Sequence, residues 1–272
     1  KKGNGADQAV LTPLTEQLKA LQKTHRELMT SNEIDRLYTQ QGAVDLNAST
    51  GQDLTTYKVS IPSNRIELWA RIESDRMANP VFREFYTERD VVMEERRQRS
   101  ESDPDGKLLE LYLATAFIAH PYRRPVIGWP SDLRFLDMAY MRHFLKKTHA
   151  PNNTVIVVVG DIDTNKVLAL VRRYFGSIPR GPEVPKVGAV EPKQLGEKRI
   201  VVKQEAELPA IYAGYKVPTI KHHDAYALNV LQGILSSGKS SRLYKSLVYE
   251  KQIALYAGGD YDDVSADPHL FY

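Results

Sequence analysis

The sequence predicts an α+β fold, and three observations carry that expectation. Helical spacing of apolar residues and strict two-residue alternation both occur along the chain. The strand-like runs cluster instead of alternating one for one with helices, as a parallel βαβ sheet would require. A Pro- and Gly-rich stretch with little periodicity, from Gly176 to Pro192, separates two such groups and reads as a linker.

Residues 1–11 are polar and turn-rich. Leu14, Leu18, Leu21 and Leu28 then recur at helical spacing, predicting an amphipathic helix to about Met29. Ser31 and Asn32 can cap a second helix through Tyr38, which Gln41-Gly42 ends. Val44–Thr50 and Thr55–Ile61 read as strands. In the second, Thr55, Tyr57, Val59 and Ile61 alternate with Thr56, Lys58 and Ser60. A helix over 63–78 carries Ile66, Leu68 and Trp69 on its apolar side. An acidic helix follows, stopped at Asp103-Pro104-Asp105-Gly106, and then a helix over 107–118. Val155–Val159 reads as a buried strand, and Thr164–Phe175 as a helix capped by Thr164. Beyond the linker, Arg199–Lys203, Ile211–Val217 and Ile253–Gly258 look like strands. Ala225–Leu235 and Arg242–Tyr249 look like helices.

Composition narrows the function classes. The 272 residues are 42% hydrophobic and 26% charged, enough for one large core or two smaller ones. A net charge of +3 with no long basic run argues against nucleic acid as a partner. No segment approaches the ~18 consecutive apolar residues of a membrane span. With no cysteine, disulfides and thiolate metal sites are excluded, while the compartment stays open.

The stretch from Glu88 to Arg99 is the most informative. Seven residues separate Glu88 from Glu95, close to two helical turns, so both carboxylates share one face about 10 Å apart along the axis. One can bind a metal while the other reaches the same pocket from the side; Glu94 sits well off that face. Taken alone, the helix also reads as a solvated face laced with Glu–Arg pairs, with Arg96, Arg97 and Arg99 as solvated partners of Glu94, Glu95 and Glu101.

The run Ser74-Asp75-Arg76-Met77-Ala78-Asn79-Pro80 leading into Glu88–Glu95 resembles the pitrilysin/insulinase-type zinc peptidases, the inverzincins. Further matches are His120-Pro121-Tyr122-Arg123-Arg124-Pro125-Val126-Ile127-Gly128-Trp129, Tyr174-Phe175-Gly176 and Ser240-Ser241-Arg242-Leu243-Tyr244, in the family's order and spread over most of the chain. The resemblance implies two tandem mixed α/β sandwich domains of the LuxS/pitrilysin-like metalloenzyme type. It places a peptidase domain over 1–182, truncated at its start, a linker over 183–193, and the start of a second, homologous domain over 194–272. It makes Glu95 the third zinc ligand and Glu88 its support. One Zn2+ per intact site would polarise the scissile carbonyl and activate a bound water.

The family's two histidine ligands and glutamate base lie in an H-x-x-E-H motif. It is absent here. His25 is followed by Arg26 and Glu27, but Met29 stands four residues on. His120, His143, His149, His222, His223 and His269 have neither a histidine at +4 nor a glutamate at +3. In the family the motif lies upstream of the segment with which this sequence opens, and Leu270-Phe271-Tyr272 reads as mid-sheet. The expectation is a piece of the catalytic half, inactive by itself; a complete but degenerate homologue is the alternative.

Other positions have two readings. Leu46–Thr50 is small and polar enough for an extended peptide to pair with it, which gives Asn47, Ala48 and Ser49 a substrate-aligning role; an ordinary polar edge strand is the plain alternative. The family's substrate-binding strand falls at this place. His120, beside Pro121 and Tyr122, reads as a packed loop histidine bonded to backbone, and His222-His223 as surface. Tyr112, Phe117, Tyr140 and Phe144 read as core. The family's substrate-gripping arginine and tyrosine, seven residues apart, correspond to Tyr249 and Tyr256; only Tyr256 keeps its type, as a possible substrate contact. A phenol cannot replace a guanidinium, so the grip is expected from a second homologous half, in the same chain or in another subunit.

The function expected from the resemblance is a zinc-dependent metalloendopeptidase acting on peptides or small unfolded proteins. A non-catalytic partner that shapes the substrate chamber is the alternative. Likeness to bacterial members implies a periplasmic or secreted protein, with the cytoplasm also possible.

Overall fold

A computed structural model describes residues 8–28, 30 and 32–272. They fall into two compact units, one of residues 1–48, 57–91 and 135–185 and one of 49–56, 92–134 and 186–272, and the chain last crosses between them at Pro185-Lys186.

In the first unit, α1 (Gln8–Glu27) carries the expected leucine stripe, with Leu14, Leu18 and Leu21 exposed. The expected end at Met29 and the cap at Ser31 lie outside the described residues. Asn32 does not cap α2 (Glu33–Thr39) with its side chain; it adopts the left-handed conformation instead. Gly42, at φ 82°, lets the chain turn out of α2. The β-hairpin of β1 (Val44–Thr50) and β2 (Thr55–Ser60) follows as expected, closed by the Gly51 N–H donating to Leu54 O at 2.8 Å. Helix α3 (Ile66–Ala78) packs on α8 (Thr164–Phe175): Trp69 lies 5.9 Å from Phe175, and Glu67 accepts from the Tyr174 hydroxyl at 2.7 Å. Tyr38, fully buried, donates its hydroxyl to Glu73 at 2.7 Å, and Arg76 holds the same carboxylate at 2.9 Å. Burial first, then the bond to Glu73, pushes the Tyr38 phenol well above its usual range.

Helix α4 (Phe85–Arg96) continues directly into one widened π-helical turn, Arg97–Glu101. In the second unit α5 (Pro104–Ala116) packs on that turn. Gly106 makes the approach possible, since a Cβ there would collide with the Arg99 carbonyl oxygen. Asp103-Pro104 is a helix start as well as a stop. The Asp103 carboxylate accepts from the Asp105 and Gly106 N–H groups, and Pro104 occupies the first turn, where its missing N–H costs nothing. Two short helices follow, α6 (Pro130–Phe135) in the second unit as far as Arg134 and α7 (Met138–Thr148) in the first, the latter capped by Asp137. Asp163, not Thr164, caps α8, accepting from the Asn165 and Lys166 N–H groups.

The second unit's core centres on Phe117, Tyr122 and Leu270, with Tyr112, Leu113, Ala116 and Tyr272 against it. β3 (Tyr215–Val217) pairs antiparallel with β4 (His269–Phe271), Lys216 opposite Leu270. Helix α9 (Asp224–Ser236) and a π-helical segment, Tyr244–Glu250, complete it.

Several strand and core expectations are corrected. Val155–Val159 and Arg199–Lys203 are extended but unpaired, and only 215–217 of the stretch expected from Ile211 is strand. A strand exists through its ladder partner, and these segments have none among the described residues. Ile253–Gly258 is not a strand either: the Ile253 and Ala254 N–H groups turn back onto Leu247 O. Phe117 is core and Tyr112 half-buried, whereas Tyr140 and Phe144 are exposed on α7.

Candidate metal- and substrate-binding positions

Glu88 and Glu95 both lie on α4, as their spacing requires. Glu88 is exposed, and its carboxylate has no hydrogen bond or ion pair among the described residues. The two adjacent glutamates differ sharply. Glu94 accepts from Arg97 at 2.8 and 2.6 Å and from Gln98 at 3.0 Å; Arg97 first and Gln98 second hold its carboxyl down at about 2. Glu95 meets only Arg99, at 3.1 Å, and stays 41% exposed. Its partner is an exposed arginine on a flexible stem, a contact worth little and easily displaced. Of the pair, Glu95 keeps a carboxylate available to a ligand.

Arg96 fixes the rotation of this part of the helix. It is 2% exposed, so its assignment as a solvated partner is wrong. Nη1 donates to Gly128 O at 2.7 Å, Nη2 lies 2.7 Å from the buried Glu110 carboxylate, and the guanidinium sits over the Trp129 ring at 5.6 Å. Successive helical residues point about 100° apart, so an inward Arg96 leaves Glu95 toward the surface. The π-helical turn begins one residue later; such turns recur at functional sites. Sequence spacing gave no sign of it. Gly128-Trp129, quoted above only as a family match, acquires a physical role as the arginine's seat.

Asn47, Ala48 and Ser49 lie on β1, all exposed, and β1 pairs only with β2, which leaves its second edge open. The Asn47 Oδ1 accepts from the Ala48 N–H at 2.8 Å. Tyr249, in the π-helical segment, and Tyr256 beyond it are exposed.

The histidines supply no partner ligand for Glu95. His120 is buried, its Nδ1 accepting from the Tyr122 N–H at 3.3 Å and its Nε2 3.3 Å from Asp267, the packed role expected. Among the described residues, the one group of three side chains whose ligand atoms lie mutually within 4.8 Å is His222, His223 and Asp224, exposed and without Glu88 or Glu95. The donors described here therefore do not complete a zinc site.

Glu191 is the residue that sequence reasoning missed. Although it sits in the linker stretch, it is nearly buried and accepts from the Ile118, Ala119 and His120 N–H groups at 2.9 Å each, and from Lys216 at 2.6 Å. Desolvation raises its carboxyl; Lys216 and the three N–H groups outweigh that and hold it at about 2. A single glutamate in a Pro-rich stretch has no sequence signal for this.

The sequence matches the family description "Insulinase (Peptidase family M16)" over residues 17–129 and "Peptidase M16 inactive domain" over 136–272. It is 34% identical over 232 residues to the zinc protease PqqE of Helicobacter pylori, covering 84% of this chain and 52% of that protein. A crystal structure of a protease from Helicobacter pylori superposes with a TM-score of 0.81 at 32% identity, over 90% of this chain and 60% of that one. The first half of the periplasmic protease PqqL from Escherichia coli shares the fold, with a TM-score of 0.57 at 19% identity over 84% of this chain and 51% of that one. The chain spans about half the length of the curated relatives it matches. No described helix is long and apolar enough to cross a membrane.

Proposed function

Because the chain belongs to the insulinase-type peptidase family M16, we propose that it is part of the catalytic half of a zinc-dependent metalloendopeptidase acting on peptides or small unfolded proteins. The observation that carries this reading is the contrast within α4: Glu94 is locked by Arg97 and Gln98, while Glu95, seven residues from an unpaired Glu88, is left available. Glu95 would be a zinc ligand and Glu88 its support. The two remaining ligands would come from residues outside these 272. Asn47, Ala48 and Ser49 would align an extended peptide on the open edge of β1, and Tyr256 would touch substrate. A second homologous half would close the chamber. The division into a peptidase domain over 1–182, a linker over 183–193 and a second domain from 194, each domain an α/β sandwich, belongs to this proposal. So does a periplasmic or secreted location, supported by the likeness to a periplasmic protease.

With one carboxylate ligand of three, the isolated 272 residues are expected to bind zinc weakly and to cleave no peptide. Chelator-sensitive proteolysis by this chain alone would overturn the assignment. In the complete gene product, Ala48→Ile is expected to raise KM and lower kcat/KM about tenfold at unchanged zinc content, because bulk on β1 blocks peptide pairing. Glu95→Gln is expected to lose the metal first. Equal zinc loss in the two variants would show that the substrate strand is misplaced.

The description of 136–272 as an inactive domain favours a second reading, a non-catalytic subunit that shapes the chamber of a two-component peptidase. The coding sequence upstream of Lys1 separates the two: an H-x-x-E-H there selects the enzyme, and its absence selects the partner.

A further inference from the structure

Thr154-Val155-Ile156-Val157-Val158-Val159 is an unbroken β-branched run, the composition of a strand buried on both faces. In the first unit it is nothing of the kind. Val155, Val157 and Val159 are 87%, 76% and 90% exposed, while Ile156 and Val158, on the opposite side, are half-buried. Among the described residues, no main-chain group of 155–162 bonds to another main-chain group. Both hydrogen-bonding edges and one face are open. The unit's one regular sheet is the β1–β2 hairpin, and a two-stranded hairpin is marginal without further strands.

These open groups specify what covers them. A single extended peptide satisfies one edge of a strand, and a twofold-related copy likewise pairs along one edge. Neither supplies the other edge together with an apolar layer over Val155, Val157 and Val159. Two strands and an apolar cover are required, which is a folded segment and not a linear ligand. The relatives' length leaves room for one, since this chain spans 52% of PqqE.

We propose that Thr154–Val159 is an interior strand of a sheet whose flanking strands and apolar cover come from a segment of the same polypeptide outside residues 1–272. The inference rests on the family reading only for the length of that segment.

Hydrogen–deuterium exchange tests it, comparing the 272-residue chain with the complete product of its gene. The amides of 155–159 are expected to exchange freely in the former and about 100-fold more slowly, or slower still, in the latter. Val157→Lys is expected to leave the melting temperature of the 272-residue chain unchanged and to lower that of the complete product, while Val157→Thr, which keeps the branched shape, changes it less. If the lysine variant of the complete product does not fold, the wild-type exchange comparison still decides. Equal exchange in the two forms would overturn the proposal, as would a gene product that ends at these residues. Protection gained by the 272-residue chain on concentration would assign the strand to a second copy. Protection gained on adding β-casein would assign it to substrate. Either result replaces the proposal. The exchange readout needs neither zinc nor turnover, so it can fail while the zinc reading stands, and the reverse.

Discussion

Arg96→Met is expected to destabilise the second unit by about 3–5 kcal/mol, the usual cost of leaving one partner of a buried ion pair without the other. Glu110 is as buried as Arg96, and of its remaining cationic contacts Lys107, at 2.9 Å, is partly exposed. The Gly128 carbonyl loses its donor in the same step. Urea unfolding of the purified chain measures the loss. The double variant Arg96→Met with Glu110→Leu is expected to recover most of it, because no charge is then stranded and the volume is roughly kept. A loss below 1 kcal/mol in the single variant, or no recovery in the double, would show that the pair does not hold this part of the fold. Because Arg96 sets the outward direction of Glu95, the single variant is also expected to weaken zinc retention in the complete protein, and the double variant to restore it only in part.

Glu191 gives the second large effect, and it is pH-dependent. Its carboxyl lies at about 2 in the folded chain against an ordinary value of 4.5. A group whose folded pKa is depressed contributes stability that is fully present above its unfolded pKa and is lost as pH falls through the folded one. The contribution is therefore complete above about pH 5 and gone near pH 2. At ~1.4 kcal/mol per pH unit it amounts to about 3 kcal/mol. Glu191→Gln keeps the shape and one acceptor oxygen but removes the charge facing Lys216 and three N–H groups. The variant is expected to be about 2 kcal/mol less stable at pH 7 and to show a shallower stability loss between pH 5 and 2. Parallel pH–stability curves for the two proteins would mean that the carboxylate is not held as the geometry implies.

The sequence by itself determined the locally encoded elements. The alternation in Thr55–Ser60, the leucine spacing of α1 and the apolar side of α3 specify strand and helix because each depends on neighbours within a few residues. The same holds for Glu88 and Glu95, whose common helix follows from a seven-residue separation, and for the family, which short motifs in fixed order identify. Capping was less legible. Asp103 and Asp163 start α5 and α8 one residue before the positions favoured by periodicity, and only their bonds to following N–H groups reveal it. What tertiary structure decided is everything that needs a distant partner. Arg96 reads as one arginine among several, and burial against Glu110, Gly128 and Trp129 sets it apart. Glu191 reads as linker, and three N–H groups more than seventy residues away make it an anchor. Val155–Val159 has every local mark of a buried strand and stands unpaired, because a helix closes its hydrogen bonds within itself whereas a strand must borrow them from another part of the chain.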